Sequence, residues 1–389
     1  MIRLGIDARI VKDRPSGLVS YVKNLIGKLI QDNSFELFIF GQQKYQSVFS
    51  EFLTRKNVHY VPVYFDSNFL SIKNFLYESF YLHTIVHSYD LDIFHNPFGY
   101  GVPPFLKTKT ILTIHDVIPL YSYDKLTFLQ TIIYKKSLAI STRKASHIVS
   151  ISQFTKNDLL KNYPTLGRKP VSVIHNGFDN LTNHTDDSAL FTRLKNTYSL
   201  PEKYIIYLGS GTDRKNLVRL TEGFIIWKKK YNESHKLILI SKFNRPETAI
   251  TLEKINALLA SENLSEEIIH IQYVDNQEKA VLLSNADLFI YPSIYEGFGL
   301  PLLEAASCSV PICCSDMSVF HEVCGEGAIY FDPFDVHSIS QAIQSGISNQ
   351  TLRNSKIEQA KERITLFSWN KMTSEYITLY KKVMSGTSV

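Results

Sequence analysis

Tyr295-Glu296-Gly297-Phe298-Gly299-Leu300-Pro301-Leu302-Leu303-Glu304 sets two carboxylates eight positions apart around the predicted start of a helix. Gly297 and Gly299 flank Phe298 in a tight turn. Pro301 suits the first helical turn, where its missing N–H breaks no hydrogen bond. Leu302, Leu303, Ala305 and Ala306 give the helix an apolar underside, so Glu304 stands about two turns in, on an otherwise apolar surface. A strand pattern over 287–291 precedes the run. Strand, glycine turn and helix in that order are the repeating unit of a parallel sheet covered by helices.

The same alternation runs outward in both directions. Short β-branched and aromatic runs at 2–6, 37–40, 58–63, 93–95, 110–114, 147–151 and 171–174 read as strands. Helical patterns near 18–31, 69–88, 126–145 and 152–162 separate several of them. A polar run over 176–187 reads as a linker. Strands then resume at 204–208, 236–240, 268–272, 287–291 and 310–313, with helices near 214–230, 247–262, 275–285, 299–308 and 335–349. The expected fold class is α/β, with doubly wound domains over 1–180 and 181–368 and a ligand cleft at the carboxyl ends of the strands. A final helix, within 369–389, carries Trp369, Met372, Tyr376, Leu379, Tyr380 and Val383 as an apolar stripe.

Composition agrees with a large folded protein. The 389 residues are 44% hydrophobic and 20% charged, enough for two cores and too apolar for wholesale disorder. No apolar run reaches the roughly 20 residues of a membrane span, and the first residues read as a strand rather than a signal peptide, so a cytoplasmic location is expected. Cys308, Cys313, Cys314 and Cys324 show no C-x-x-C spacing and read as small buried residues. Residues 1–180 hold 21 Lys+Arg against 13 Asp+Glu, a balance of +8 within a net charge of +5. A basic first half suits an anionic partner, such as phosphates or an anionic membrane surface. No nucleic-acid motif is present.

Four places carry chemistry. Two acceptor-only carboxylates bracketing a helix start, Glu296 and Glu304, suit a ligand with hydroxyls at both ends and phosphate between them, such as a nucleotide sugar. Leu208-Gly209-Ser210-Gly211-Thr212-Asp213-Arg214-Lys215 is a strand-to-helix turn whose glycines let backbone N–H groups approach an anion, and Arg214 and Lys215 add full charges. It lacks the Lys-Ser/Thr ending of a P-loop. His115 and Asp116 end the strand 110–114, where α/β sites sit, and an imidazole there is expected to exchange hydrogen bonds with a sugar hydroxyl and to be able to pass a proton near neutral pH. His95 ends a preceding strand and is expected to line the same cleft. Gly17, at the first helix start, permits close approach of a ligand, but a single glycine is not the G-x-G-x-x-G of a dinucleotide site. No metal-ligand cluster stands out, so no metal is expected.

Taken together, these residues resemble the retaining family 4 glycosyltransferases of GT-B fold, in which two Rossmann-like domains face each other across a cleft. The resemblance rests on Gly5-Ile6-Asp7-Ala8-Arg9 with Ser16-Gly17, on Thr113-Ile114-His115-Asp116, and on Ile151-Ser152-Gln153-Phe154-Thr155. It continues through Val173-Ile174-His175-Asn176-Gly177, Arg214-Lys215-Asn216-Leu217 and the Glu296-x7-Glu304 motif. It implies that Glu296 binds the donor hexose, with Gly297, Phe298, Gly299 and Leu300 along sugar and phosphate. Glu304 would take the ribose, Arg214 and Lys215 the diphosphate, and Val274 would lie by the base. His115 would meet the sugar near its 6-hydroxyl, Asp116 would orient the acceptor, and Gly17 would lie against the donor phosphate. The final helix would cross back to the first domain. Two positions depart from the family pattern: Ser210 stands where an Arg is frequent, and Ser309 stands where the small-residue run usually ends in glycine, a change expected to matter only to packing.

The implied activity is transfer of a hexose, with mannose from GDP-mannose first and UDP-hexoses open, to a growing cell-surface glycan such as a lipopolysaccharide, capsule or exopolysaccharide precursor. Retention needs no protein nucleophile if the leaving diphosphate takes the acceptor's proton on the same face, stabilised by the cations. A glycoside hydrolase, a nucleotide-sugar epimerase on the same fold and a non-catalytic sugar-nucleotide-binding protein are the alternatives. Nucleotide-free hydrolysis, product analysis and donor binding without turnover separate them. The stretch from Lys125 to Lys136, with Arg143 and Lys144, mixes basic and apolar residues on a helix. It reads either as a core helix with a solvated basic edge or as a peripheral contact with the inner face of a membrane.

Overall fold

The computed structural model describes the chain except for residues 14–15, 65–69, 122, 124–125 and 387–389. It falls into two compact units, Met1–Gly177 with Phe367–Val389, and Phe178–Leu366. The first is built on β1 (Ile2–Asp7), β2 (Phe35–Gly41), β3 (Val58–Pro62), β4 (Ile93–Asn96), β5 (Lys109–Ile114), β6 (His147–Ser150) and β7 (Val171–Val173). The strands are parallel and lie in the order β3-β2-β1-β4-β5-β6-β7.

Alternation along each strand sorts its side chains to two faces. Leu4, Ile6, Leu37, Ile39, Ile93 and Ile111 pack with Tyr21, Val22, Leu25, Ile26 and Leu29 of α1 (Gly17–Leu29). Phe38, Phe40, Phe94, Leu112 and Ile114 pack on the opposite side. The helical pattern near 69–88 forms two helices, α2 (Ile72–Phe80) and α3 (Leu82–His87), while residue 69 lies outside the described residues. They break at Tyr81, where φ is −117°, and its ring stacks on Tyr77 with centroids 6.3 Å apart. Leu82 and Val86 of α3 join the second core, with Tyr134 and Leu138 of α4 (Phe128–Lys144) and Leu159 of α5 (Gln153–Asn162). Much of α4's apolar face is therefore core, and its exposed edge carries Lys135, Lys136 and Arg143. Lys125, the first residue of the stretch read as a membrane contact, lies outside the described residues.

The second unit begins with α6 (Ser188–Tyr198), followed by β8 (Tyr204–Leu208), α7 (Leu217–Tyr231), β9 (Lys236–Ile240), α8 (Pro246–Ser261), β10 (Ile268–Ile271) and α9 (Asn276–Ser284). It continues with β11 (Leu288–Tyr291), α10 (Leu300–Ser307), β12 (Ile312–Ser315), α11 (Ser318–Cys324), β13 (Ile329–Phe331), α12 (Val336–Ser348) and α13 (Gln350–Ile364). Its parallel strands run β10-β9-β8-β11-β12-β13. The pattern reading did not mark α6, α11, α13 or β13. β13 is three residues long, and α13 buries only Ala360, so it has no apolar stripe to read. The four cysteines are buried and unpaired.

In both sheets the order reverses beside the first strand, between β1 and β4 and between β8 and β11. Loops leaving the carboxyl ends of two such strands diverge and leave a crevice. The last helix, α14 (Trp369–Ser385), belongs to the first unit. Its Trp369, Met372, Tyr376, Leu379 and Tyr380 are buried in the core that contains α1.

Candidate active site

In the second unit the turns after β8 and β11 meet. Gly209 follows β8 and is required there, because a Cβ would lie 2.3 Å from the Tyr207 hydroxyl, which donates to Ser210 O at 2.8 Å. The turn over Asp213–Lys215 ends at Asn216, whose left-handed φ of 59° starts α7. Asn216 Nδ2 anchors the turn by donating to Pro333 O at 2.7 Å. The neighbouring turn is tied on by Ile294 N donating to Arg214 O at 2.9 Å and by Arg214 Nη1 donating to Tyr295 O at 3.2 Å.

These ties bring both cations to Glu296. Its carboxylate is buried, and Oε1 lies 2.9 Å from Arg214 Nη1 and in contact with Lys215 Nζ. Tyr291 donates to the same oxygen at 3.2 Å and accepts from Lys215. Burial would raise the Glu296 pKa, but Lys215 and Arg214 outweigh it and hold the carboxyl at about 2. Burial lowers Lys215 to about 8 against the pull of Glu296. Arg214 and Lys215 against Glu296 give this cluster a net positive charge at the switch point of the sheet. Such a cluster attracts an anion while keeping one strong acceptor in place.

Gly299 then opens α10 with φ +111°, in the left-handed region where glycine avoids the Cβ penalty. Glu304 projects from this helix and accepts from Lys279 of α9 at 2.8 Å. Burial raises its pKa, opposed by Lys279. Val274 is buried just before α9. Lys279, Tyr207 and Tyr291 are components the sequence reading missed. The sequence contains no local signal that Lys279 meets a glutamate 25 residues away. Ser309, where glycine is usual in the resembled family, is exposed with φ 58°. The departure therefore places an L-residue in a left-handed conformation, and its effect is backbone strain rather than packing alone.

In the first unit, His115 extends β5 toward α1, where its ring meets Tyr21 edge-on with centroids 4.8 Å apart. Its Nε2 lies 2.8 Å from Pro97 O. A carbonyl only accepts, so Nε2 carries the proton and the neutral ring presents Nδ1 as an acceptor. Burial lowers its pKa to about 4, although the Pro97 carbonyl opposes this. Asp116 Oδ1 accepts from Ile118 N at 3.0 Å, which fixes the turn after the strand. Gly17 is the first residue of α1, capped by Ser16. His95 does not line a ligand site. It is fully buried, with Nδ1 2.8 Å from the Tyr380 hydroxyl and Nε2 2.8 Å from Thr113 Oγ1, and burial lowers its pKa to about 3. Both ring nitrogens are used to hold α14 against β4 and β5. Among the described residues no cluster of three or more His, Cys, Asp or Glu is placed to hold a metal ion.

Two family models match the chain. Glycosyl transferases group 1 covers residues 192–363, and Glycosyltransferase Family 4 covers residues 15–180. The O-antigen chain mannosyltransferase RfbU of Salmonella typhimurium is 31% identical over 68% of this chain, a match that spans 65% of that protein. The O-antigen chain mannosyltransferase B of Escherichia coli is 28% identical over 74% of each chain. A glycosyltransferase structure from Rickettsia africae superposes with a TM-score of 0.76 at 17% identity, covering 99% of both chains. Sucrose-phosphate synthase from Thermosynechococcus elongatus gives a TM-score of 0.75 at 17% identity over the whole of both. At that identity the likeness concerns the fold, which is of the GT-B class.

Proposed function

This chain belongs to the glycosyltransferase family that the two models describe, group 1 with Family 4, and from that premise we propose that it is a retaining hexosyltransferase using a nucleotide sugar. The observation that carries the reading is the meeting of Arg214, Lys215 and Glu296 at the switch point of the second sheet. A donor's diphosphate takes over the two cations, and Glu296, freed from part of their charge, accepts hydroxyls of the hexose. Glu304 accepts the ribose hydroxyls beside Lys279, with the base near Val274, and the backbone over Gly297, Phe298, Gly299 and Leu300 follows sugar and phosphate. His115 accepts a sugar hydroxyl at Nδ1, Asp116 orients the acceptor, and Gly17 admits the donor phosphate.

The chemistry balances without a protein nucleophile. The bond from the anomeric carbon to the phosphate oxygen breaks, a bond from that carbon to the acceptor oxygen forms on the same face, and the acceptor's proton passes to the leaving phosphate. Arg214 and Lys215 stabilise the charge that builds on the leaving group. These cations supply the positive charge that a metal supplies in other sugar transfers, so the reaction is assigned no metal requirement. The names of the O-antigen mannosyltransferase relatives support mannose and a cell-surface glycan; our reading adds GDP-mannose as the donor and a growing glycan met at the inner face of a membrane as the acceptor. The reading is tested by offering GDP-mannose and UDP-hexoses in turn and following thermal stabilisation and nucleoside diphosphate release. Stabilisation and acceptor-dependent release with GDP-mannose support it. No response to any nucleotide sugar would overturn it.

A further inference from the structure

The helix α2 is inside out. Its buried positions are polar, Asn74, Glu78 and Ser79. Its outward positions are apolar: Ile72 is 52% exposed, Leu76 47% and Phe80 56%, and Tyr81 just beyond is 63% exposed. The cause lies beneath it. Arg9 is fully buried at the end of β1, and its guanidinium is paired with Asp7 at 2.7 Å and with Glu78 Oε1 at 3.0 Å. An unpaired buried guanidinium is costly, so Glu78 is held inward. At 100° per residue, positions two away from Glu78 point to the opposite side of the helix, and those positions are Leu76 and Phe80. Ile72 stands four residues before Leu76 and completes the stripe.

The surface continues through α3. His83 meets exposed Phe105 with ring centroids 5.7 Å apart, and His87 accepts from Lys107 N at 3.0 Å. Over α2, α3 and the neighbouring α4, the one acidic residue is Glu78, which is buried, whereas Lys73, Lys135, Lys136 and Arg143 are exposed. An apolar and aromatic stripe flanked by cations, on helices whose described residues carry no exposed carboxylate, matches an anionic surface with an apolar interior. A symmetric pairing of two copies through this face would instead set cation against cation.

We propose that the α2 face is the membrane-docking surface of this protein, with Ile72, Leu76, Phe80 and Tyr81 entering the headgroup region of an anionic bilayer and the flanking lysines and arginine contacting its phosphates. This placement centres the contact on α2 rather than α4, whose Ile133, Tyr134 and Leu138 are core and which adds only the exposed Phe128 and Leu129 of its first turn. It does not depend on the transfer chemistry.

The test is co-sedimentation of the full chain with vesicles of phosphatidylcholine, alone or mixed with phosphatidylglycerol, at low and high salt. Wild type binds the mixed vesicles, weakly or not at all the pure ones, and loses binding as salt rises. The exposed-site variant Leu76→Ser/Phe80→Ser lowers the bound fraction at least about tenfold with no change in melting temperature, whereas Ile250→Ser, an exposed apolar residue of the second unit, leaves it unchanged. Failure of wild type to bind the mixed vesicles overturns the proposal. So does equal binding by the α2 variant, or a concentration-dependent dimer that the variant abolishes without any lipid binding.

Discussion

Glu296 Oε1 lies 2.9 Å from the Arg214 guanidinium, and this ion pair joins the turn after β8 to the turn after β11 inside one sheet. The two cations proposed for a diphosphate are thus held together by the carboxylate proposed for the hexose.

Replacing the carboxylate tests this arrangement. Glu296→Gln preserves shape and removes the charge, so transfer should fall by about two to three orders of magnitude. It also leaves Lys215 buried beside a neutral amide, which should destabilise the fold by about 3 kcal/mol. Activity assays and denaturant unfolding read the two effects separately. Near-normal turnover in this variant would remove Glu296 from the site.

The pH dependence follows from Lys215 and His115. Burial sets Lys215 at about 8, so kcat/KM should decline as pH rises through that value and the site loses a positive charge. Lys215→Arg should move the decline to higher pH, because arginine stays charged. His115, held at about 4 by burial, adds no acidic limb near pH 6.5. For stability, Glu296 has a folded pKa below its ordinary 4.5. Its contribution is present above that value and lost as pH falls toward about 2. A bell-shaped profile with a limb at 6.5 that disappears in His115→Asn would contradict the assignment.

Glu304 should matter to the nucleotide more than to the sugar. Losing a charged hydrogen bond of about 1.5–3 kcal/mol should weaken nucleoside diphosphate binding in Glu304→Ala by roughly ten- to a hundredfold. The same loss should appear when wild type is given a 2′-deoxy nucleotide. The two changes together should cost little more than either alone, as calorimetry would show. Full additivity would place the ribose elsewhere.

Ser309 offers a stability test remote from chemistry. Its φ of 58° is unfavourable for an L-residue, so Ser309→Gly should raise stability by about 0.5–1 kcal/mol after the added entropy of the unfolded chain is counted. A lower melting temperature would show that the serine side chain contributes more than its backbone strain costs.

Strands such as β5, β8 and β9 were legible because a parallel strand buried on both faces reads as a short β-branched or aromatic run. So was the Glu296–Glu304 helix start, where glycine, proline and the apolar underside each have a local reason. His95 was misread because its partners, Thr113 and Tyr380, lie 18 and 285 residues away, and nothing near it in sequence announces them. The pairs of Lys279 with Glu304 and of Arg9 with Glu78 were missed for the same reason. α2 shows a further limit, since its apolar stripe reads as a core face until the buried Arg9 beneath it is seen.

The most direct test of the central claim is the anomeric configuration of the product formed from GDP-mannose and a glycan acceptor, read by proton NMR before any equilibration. The account predicts an α-linked mannoside with release of GDP, undiminished by EDTA. A β-linked product, or free mannose formed from a simple glycoside without nucleotide, would contradict it.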